Sequence, residues 1–586
     1  MSSKPRFFPA GDRAILVQLG TEISEEINDR VMALNRTILA SRDPAIVETV
    51  PAYATVLVHY RPEARSYSEM KAFLSDLAEK VPERVSADEN GSGAVRRTLV
   101  VPVCYGLHFG PDLWTMQDAL GLSREEIIRI HSGRDYRIYM MGFLPGFVYL
   151  GGMDERIAYP RLKKPRLQID AGAVGIAGGQ TGIYPSASPG GWRIIGRTPM
   201  RLFDPSRDPA TPVGAGDFIR FRPVSVDEWY EIRRQVLKGE YEPEVLGQDA
   251  SSVRGDSVKS TLQHAESRDF LKVLNPGVLT TVQDAGRFGH QHAGMPQAGS
   301  MDGMSLTLAN LLAGNDESAA VLEFTVFGGS YEVECEGTIA ITGADMNPKL
   351  NGGAIPMNEA VPVKAGDRLD LGPVIKGMRS YLAVSGGLDV PPVLGSRSTD
   401  LKSGLGGLEG RKLKAGDLLR AGLETAGNAG GINRNENADG RDFPQQQPLP
   451  APALMRLAEA SDDGITRIRF VFGPQDEMFS EEAKRIFTES VYTVSPASDR
   501  MGYRLEGAKI PAEEVPGILS EGISFGSIQV PADGQPIVMM ADHQTAGGYA
   551  KIGTVIGSDL SLLAQLGPGK RMRFCPVSLD DSGEKQ

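Results

Sequence analysis

A short turn-and-strand pattern recurs four times along this chain, and it constrains the fold more than any other feature. Each copy places an apolar residue three positions before a glycine, which Asp or Lys and an alternating stretch then follow. The copies are residues 213–218, 363–368, 413–418 and 566–571. Glycine supplies the positive φ angle of a tight turn, and alternation is typical of a half-buried strand. With 69 Gly and 39 Pro spread over 586 residues, the pattern favours β-rich domains over helix bundles.

A second internal similarity is more specific. Residues 180–184 read QTGIY and residues 544–549 read QTAGGY. Each is followed by an Ile-Gly step, at Ile195-Gly196 and Ile552-Gly553, and then by one of the turn repeats. The sequence therefore predicts related β-barrels in the two halves of the chain.

The first hundred residues alternate strand and helix patterns instead. Strand patterns cover residues 13–19, 45–50, 53–60 and 97–103. Apolar residues at steps of three and four mark one helix within 22–40 and a second around residues 70–77. The resulting order βαββαβ is that of a ferredoxin-like unit.

The predicted fold class is therefore α+β and β-rich, with one small α/β domain followed by several barrels. The predicted boundaries are a ferredoxin-like domain over 1–104, β-barrel domains over 105–242, 269–421 and 464–578, and polar, aperiodic linkers over 243–268 and 422–463.

Charge and cysteine usage exclude several functions. The formal net charge is −12, from 62 basic and 74 acidic residues, which argues against nucleic-acid or anionic-membrane binding. Cys104, Cys335 and Cys575 are far apart, so neither a disulfide framework nor a zinc finger is predicted. The N-terminus leads into no apolar signal segment, and no apolar run approaches the roughly 18 residues of a membrane span. We expect a cytoplasmic protein.

The first half holds one group of candidate binding residues. Residues 140–152 and 174–199 are rich in glycine and carry the polar groups of Gln180, Tyr184 and Arg197. Backbone N–H groups beside an aromatic side chain and an Arg suit a small planar anion or amide. The alternative is that these glycines serve only the turns of a barrel.

The second half holds the other candidates, each an Arg, Asp or Gln next to hydroxyl groups and glycine. They are Arg397, Asp499, Arg500, Asp542 and Gln544. Such groups bind a carboxylate, carbamate or phosphate, and Asp542 is suited to proton transfer. The alternative for Asp499 and Arg500 is a structural ion pair.

Three features of the sequence limit which cofactors are expected. His290 and His292 share the i,i+2 spacing of a strand face, but no further ligands follow, so no metal site is predicted. Residues 567–571 match only the end of a phosphate-binding loop, so that motif is not predicted to operate here. No biotin-attachment motif occurs, so any biotin would be carried by a separate chain.

The longest motifs resemble one protein family. Segments of residues 7–240, among them PAGDRAILVQLG, MGFLPGFVYLGG and GIAGGQTGIYPSASPGGWRIIGRTP, resemble the B-type 5-oxoprolinase subunit, also called KipI or allophanate hydrolase subunit 1. Segments of residues 270–576, among them NPGVLTTVQDAGRFG, SDRMGYRLEG and ADHQTAGGYAKIGTV, resemble the C-type 5-oxoprolinase subunit, also called KipA or allophanate hydrolase subunit 2. The chain thus resembles a fusion of the two subunits.

This resemblance implies cyclophilin-like barrels and two chemistries. In the first, the chain acts with a LamB/YcsF-type subunit. ATP phosphorylates the lactam oxygen of 5-oxoproline, and water opens the ring to glutamate. In the second, the same two modules form the carboxyltransferase of a urea or amide carboxylase, which takes a carboxyl group from a biotin carrier protein.

Both chemistries polarise an amide, a task for positioned N–H groups and arginines. The implied roles are anion binding for the arginines, proton transfer for Asp542, and amide binding for Gln180, Tyr184 and Gln544. The resemblance leaves open whether Mg²⁺ accompanies ATP and whether the chain forms a homo-oligomer. A third alternative is a regulator of the kinase-inhibitor type, in which the barrels are protein-binding surfaces.

Overall fold

The computed structural model describes residues 4–82, 97–247, 267–423, 463–512, 515 and 517–579. Most of the two expected linkers lies outside these residues. The boundaries between domains therefore stay a prediction.

The N-terminal domain is a four-stranded antiparallel sheet with two helices. Its strands are β1 (Arg6–Pro9), β2 (Ala14–Gln18), β3 (Ile46–Pro51) and β4 (Thr55–Tyr60), and its helices are Glu25–Ala40 and Tyr67–Glu79. The sheet order is β1-β2-β4-β3. Ser24 and Ser66 cap the helices by accepting backbone N–H bonds, and Val31, Leu34 and Met70 bury the helix faces against the sheet.

One strand lies elsewhere than we expected. The strand predicted over 97–103 forms as β5 (Thr98–Tyr105), but it pairs with strands of the following barrel and not with the N-terminal sheet. β1, which we did not predict, occupies an edge of the small sheet beside β2. The small domain is thus ββαββα and not βαββαβ. Both faces of β5 are buried, as suits a barrel strand better than the edge of a small open sheet.

The first barrel follows. Its elements are strands β5, β6 (Asp135–Met141), β7 (Val148–Gly151), β8 (Arg166–Ile169), β9 (Ala173–Ala177), β10 (Gln180–Ile183), β11 (Ser188–Gly190), β12 (Arg193–Arg197), β13 (Phe218–Pro223) and β14 (Val245–Leu246), with helices Leu113–Leu120, Arg124–Ser132 and Val226–Lys238. Seven of these strands close a ring in the order β5-β12-β9-β10-β7-β6-β13, and β13 returns to β5.

The middle region, residues 267–423, was expected to be a barrel, but its strands form two sheets. They are β15 (Ser267–Asn275), β16 (Leu279–Gln283), β17 (Val321–Thr325), β18 (Phe327–Val333), β19 (Gly337–Asp345), β20 (Lys349–Leu350), β21 (Gly353–Ala354), β22 (Ala360–Val363), β23 (Arg368–Pro373), β24 (Lys376–Val384) and β25 (Leu418–Gly422). The sheet orders are β21-β20-β23-β18-β15-β25 and β16-β17-β24-β19-β22. Both sheets contribute to one apolar core. The helix Gly303–Leu312 packs on β19 and β24, and Asp302 caps it by accepting the Ser305 N–H.

The second barrel is the last domain along the chain that the structure describes. It comprises β26 (Ile465–Phe472), β27 (Tyr492–Val494), β28 (Gly502–Glu506), β29 (Glu521–Gly522), β30 (Ser527–Gln529), β31 (Ile537–Met539), β32 (Ala546–Gly547), β33 (Lys551–Val555) and β34 (Arg571–Pro576), with helices Glu481–Glu489 and Gly557–Ala564. The closed ring runs β26-β33-β30-β31-β28-β27-β34.

The two barrels have the same topology. When the seven ring strands are numbered along the chain, both rings read 1-6-4-5-3-2-7, and in both the first and last strands pair in parallel. The turn glycines before the last strands, Gly216 and Gly569, have φ angles of +92° and +81°. The prediction of related barrels in both halves is confirmed, as is the β-rich α+β class.

The N-terminal sheet also contacts the second barrel. The Gly557 N–H donates to Asp12 Oδ1 at 2.9 Å, and the Ser524 hydroxyl donates to the Ala10 carbonyl at 3.2 Å. A Cβ on Gly522 would lie 2.7 Å from Leu57 Cβ, so the two surfaces approach closely. The first and second halves are therefore packed together. No helix among the described residues has the length and apolarity needed to span a membrane.

Candidate functional site

A narrow cleft, with a cavity volume of about 10 Å³, lies where the two halves of the chain meet. Its walls are residues 143–145 of the first barrel, residues 294, 296, 400, 402 and 403 of the middle region, and residues 542–544 of the second barrel. Loops that join barrel strands thus meet a turn of the middle region. Each half supplies part of the wall, so neither half alone forms this cleft.

Glycines allow the loops to approach closely. The Gly146 N–H donates to the Ala293 carbonyl at 2.9 Å. A Cβ on Gly142 would lie 2.7 Å from Ala546 Cβ, and one on Gly294, at φ +82°, would lie 2.5 Å from the Leu144 carbonyl oxygen. Larger residues at these positions would push the walls apart.

Asp542 and Arg500 form the best-defined interaction next to the cleft. Arg500 Nε donates to Asp542 Oδ2 at 2.8 Å, and Nη2 donates to Oδ1 at 2.9 Å. The backbone adds a bond from the Asp542 N–H to the Arg500 carbonyl at 2.8 Å. Both side chains are buried, so this two-pronged ion pair fixes the direction in which Asp542 points.

Arg500 also connects Asp542 to the middle region. Its Nη1 donates to Glu323 Oε1, and its Nη2 donates to the Gly299 carbonyl at 2.6 Å. Glu323 Oε2 accepts further bonds from the Tyr381 hydroxyl at 2.7 Å and from the Met301 N–H at 2.8 Å. Arg500 therefore acts as a buried bridge between two carboxylates from different domains.

Burial makes Asp542 a suitable proton acceptor near neutral pH. Desolvation raises the pKa of Asp542 to about 6, although Arg500 opposes the shift, and the charges of Asp400 and Glu323 add to it. A group with such a pKa exchanges protons readily under ordinary conditions.

A second buried carboxylate lines the same cleft. Asp400 is 1 % exposed, and its Oδ1 accepts the Lys402 N–H at 3.1 Å. Its Oδ2 is buried without a hydrogen-bond partner. A buried acceptor without a donor is costly, and such atoms deserve a functional explanation.

Lys402 places a positive charge at the cleft. Its ammonium nitrogen lies 5.2 Å from the centroid of the Phe143 ring, a cation–π distance across the two halves. Desolvation lowers the pKa of Lys402, while Asp400 and Asp499 oppose the shift. The cleft thus combines two carboxylates, one amine and the side chain of Gln544.

Only some of the candidate residues predicted in the second half lie at the cleft. Asp542 and Gln544 line the cleft. Arg500 does not line it, but it donates a hydrogen bond to Asp542. Asp499 is exposed, and its Oδ1 accepts the Met501 and Gly502 N–H groups, so it stabilises a turn and does not pair with Arg500. Arg397 extends towards Asp389, with Nη2 at 3.5 Å from its Oδ1.

The candidates of the first half lie away from this cleft. Tyr184 is 2 % exposed in an aromatic cluster with Phe147 and Trp192. Arg197 donates to the Ala171 carbonyl and to Asp170 Oδ2 at 2.8 and 2.9 Å. Gln180 donates to the Tyr53 hydroxyl at 2.6 Å. Tyr184 and Arg197 thus make contacts within the barrel, Gln180 contacts the N-terminal domain, and none of the three residues lines the cleft. A role for them in ligand binding stays a prediction.

Sequence analysis missed Phe143, Asp400 and Lys402. They come from segments more than 250 residues apart and share no spacing pattern. The available signal is the glycine-rich loop at 140–152, which indicates binding without pointing to a particular residue. Among the described residues, no group of three or more His, Cys, Asp or Glu side chains is arranged to hold a metal ion.

Comparisons with known proteins divide the chain in the same way. Residues 5–213 match the family model described as carboxyltransferase domain, subdomain C and D. Residues 293–576 match the model described as carboxyltransferase domain, subdomain A and B. The cleft thus lies between the two matched regions.

The individual relatives follow this division. The chain is 40 % identical to the C-type 5-oxoprolinase subunit of Escherichia coli (strain K12) over 312 residues, 53 % of this chain and 93 % of the relative. It is 40 % identical to the B-type 5-oxoprolinase subunit of Bacillus subtilis (strain 168) over 229 residues, 38 % of this chain and 95 % of the relative. It is 33 % identical to urea amidolyase of Lachancea kluyveri over 348 residues, 56 % of this chain but 18 % of that protein.

One solved structure spans both halves. The crystal structure of TTHA0988 superposes with a TM-score of 0.74 at 33 % identity, covering 96 % of this chain and 99 % of that one. The arrangement of both halves in one chain is therefore shared with a solved protein.

Proposed function

This chain belongs to the family of the B-type and C-type 5-oxoprolinase subunits, with both types fused, and on that premise we propose that it is a component of ATP-dependent 5-oxoprolinase. In this proposal it works with a LamB/YcsF-type subunit and converts 5-oxoproline to glutamate. ATP serves as co-substrate, and phosphate and ADP are the other products.

The observation that carries the proposal is the cleft between the halves. Residues 143–145 come from the region similar to the B-type subunit, and residues 542–544 come from the region similar to the C-type subunit. A site that needs both halves explains why the two modules are useful in a fixed one-to-one ratio. The near-complete coverage of the separate subunits, 93 % and 95 %, also favours this function over urea amidolyase, of which the chain spans 18 %.

The chemistry of the cleft suits the opening of a lactam. Phosphorylation of the lactam oxygen makes the ring carbon electrophilic, and water then adds to that carbon. In our proposal Asp542 accepts the proton that this water loses, and that proton goes to the ring nitrogen as the C–N bond breaks, which leaves glutamate as an acyl phosphate. A second water hydrolyses this acyl phosphate to glutamate and phosphate. The pKa of about 6 allows Asp542 to take up and release a proton within one cycle. Arg500 is a positioning residue, because it contacts Asp542 and not the cleft.

The test is reconstitution of turnover. ATP hydrolysis that depends on 5-oxoproline, and glutamate release, are measured for this chain alone, for the LamB/YcsF-type subunit alone, and for the mixture. We expect activity only in the mixture. Full activity of the partner alone, or no activity in the mixture when each protein is folded, would contradict the proposal.

A second candidate is carboxyl transfer, and the family models favour it specifically. Both matched regions are described as parts of a carboxyltransferase domain. In that function a biotin carrier on a separate chain would donate the carboxyl group to an amide nitrogen, and Asp542 would remove a proton from that nitrogen. The discriminating measurement is decarboxylation of a carboxylated biotin carrier protein by this chain, with and without urea.

A further inference from the structure

One exposed face of the first barrel is rich in arginine and apolar residues. The helix Val226–Lys238 buries Trp229 and Ile232 and leaves Tyr230 and Leu237 exposed, at 55 % and 60 %. Steps of three and four residues place Arg233 on the same side of the helix as these two exposed residues. We call this surface, with the loops beside it, the arginine face, and its residues are Leu107, Arg197, Arg201, Tyr230, Arg233 and Leu237.

The arginine face carries more positive charge than its neighbours neutralise. Arg197 donates to Asp170 Oδ2 at 2.9 Å, but Arg201 and Arg233 make no ion pair with any residue that the structure describes. Desolvation lowers the pKa of Arg233, and the charges of Arg201 and Arg197 lower it further. The three guanidinium groups therefore lie close enough to repel one another, and bound carboxylates would relieve that repulsion.

Buried aromatic rings hold the arginine face in place. Trp229 Nε1 donates to the Arg197 carbonyl at 3.0 Å, and the Arg197 guanidinium lies 5.7 Å from the centroid of the Trp229 ring. The Phe109 ring packs against Trp229 and Tyr230, at centroid distances of 4.9 and 6.4 Å. In the same loop Leu107 is 55 % exposed and has a φ angle of +50°, which is uncommon for a residue with a Cβ. A surface ordered in advance loses little freedom when it binds a partner.

We propose that the arginine face binds an acidic surface of the partner subunit. The inference rests on the proposed function, because it takes the LamB/YcsF-type subunit as the protein that carries this surface. Carboxylates of the partner would pair with Arg201 and Arg233, and its apolar side chains would cover Tyr230 and Leu237. Tyr and Arg are enriched among the residues that dominate the binding energy of protein interfaces, and the arginine face offers both.

The charge of the whole chain favours a protein over a nucleic acid or an anionic membrane as the occupant. An extended polyanion would also meet the rest of the surface, and the formal net charge of −12 would repel it. A folded partner presents its carboxylates over a limited area, so it can meet the arginine face alone. Glu231 of the same helix is engaged by Arg234, so it leaves the charge of the arginine face in place.

The test is a binding titration of the full chain with the purified LamB/YcsF-type subunit, by biolayer interferometry. Combining Arg201→Glu with Arg233→Glu should weaken binding by about tenfold or more, because repulsion replaces attraction at two positions. Tyr230→Ala should also weaken it by about tenfold or more. The wild-type affinity should fall as salt is added, and the double variant should depend less on salt. The matched control combines Arg485→Glu with Arg504→Glu, on exposed positions of the second barrel, and should keep the wild-type affinity.

Turnover and melting temperature provide two further readouts. In the reconstituted enzyme, the double variant of Arg201 and Arg233 should raise the partner concentration needed for half-maximal activity by about tenfold and keep kcat at saturation. We expect an unchanged kcat because no residue of the arginine face lines the cleft. Its melting temperature should equal that of the wild type, because neither arginine makes an ion pair within the described residues.

The outcomes separate this inference from the proposed function. If the mixture turns over 5-oxoproline but the double variant changes neither affinity nor half-maximal concentration, the inference is wrong and the enzyme assignment stands. If the partner binds through the arginine face without turnover, the inference is supported and the enzyme assignment is wrong. Failure of the folded wild-type chain to bind the subunit would overturn the inference. Self-association that the double variant abolishes, measured by sedimentation velocity, would also overturn it, because a second copy of this chain would then be the occupant.

Discussion

Glu48 of β3 accepts two hydrogen bonds from Gln291, at 2.7 Å from Nε2 and at 3.1 Å from the backbone N–H, although the residues are 243 positions apart. Glu48 is 5 % exposed, and Gln291 is 2 % exposed. This pair joins the N-terminal sheet to the middle region at a fully buried point. Burial raises the pKa of Glu48 to about 7, while the bonds from Gln291 oppose the shift.

Stability should therefore fall as pH rises towards 7. The folded state keeps a proton on Glu48 that the unfolded chain releases near pH 4.5, so the contribution is complete below pH 4.5 and is lost as pH rises through 7. The total change is about 3 kcal/mol. Glu48→Gln should remove this dependence of stability on pH, and it should lower stability at both pH 5 and pH 8, because its amide N–H faces one of the two Gln291 donors. Melting temperatures at both values provide the measurement, with the exposed Glu359→Gln as control.

Asp542 should set the pH dependence of turnover. As a proton acceptor it is active when ionised, so the rate should increase with pH and reach half its plateau near pH 6. Asp542→Asn should lower kcat about a hundredfold and abolish this increase. The measurement is glutamate release by the reconstituted enzyme between pH 5 and 8. Asp118→Asn, on an exposed helix surface, is the control. An unchanged profile in Asp542→Asn would remove this residue from the mechanism.

Arg500 should stabilise the folded protein, in addition to holding Asp542 in place. Arg500→Met leaves two buried carboxylates, Asp542 and Glu323, without their shared cation. Loss of one partner of a buried ion pair costs about 3–5 kcal/mol. We expect a clear drop in melting temperature and partial recovery when Glu323→Gln is added. Arg504→Met, which alters an exposed arginine nearby, should have little effect.

Gly196 of β12 and Gly553 of β33 occupy the sixth ring strand of their barrels, and both are closely packed. A Cβ on Gly196 would lie 2.6 Å from Val103 Cγ1, and one on Gly553 would lie 2.5 Å from Phe470 Cδ2. Gly196→Ala and Gly553→Ala should therefore each destabilise the protein by about 1–3 kcal/mol, the usual cost of overpacking. Gly214→Ala, where a Cβ would meet open space, should be tolerated. The melting temperatures of the three variants measure these effects. If Gly196→Ala and Gly553→Ala are both tolerated, close packing of the sixth ring strand in the two barrels is contradicted.

Sequence patterns predicted local structure well wherever the cause is local. The repeated turns form around Gly216, Gly366, Gly416 and Gly569, all at positive φ. Ser123 caps the helix Arg124–Ser132 by accepting the Glu126 N–H. Such features depend on neighbours within four residues, which the sequence displays directly.

Features that depend on distant contacts were harder to predict. β5 has a strand pattern, but that pattern does not say which sheet the strand joins. The glycine-rich sequence around Tyr184 and Arg197 does not reveal that Tyr184 packs in an aromatic cluster or that Arg197 pairs with Asp170, and their role in ligand binding stays a prediction. Asp400 and Lys402 follow an ordinary turn, and their meeting with Phe143 is created only by the docking of the two halves.

The parallel pairing of first and last strands also sets the order in which each barrel can form. The first ring cannot close until β13 has been synthesised, and the second cannot close until β34 has been, because each last strand lies beside the strand that opened the domain. During translation about a hundred further residues must therefore be synthesised before the first strand of each barrel can pair with the last strand. Contacts so distant in sequence form slowly, and the unpaired edge of β5 or β26 is exposed meanwhile. A growing chain of this design is most in need of chaperone protection just before each barrel is completed.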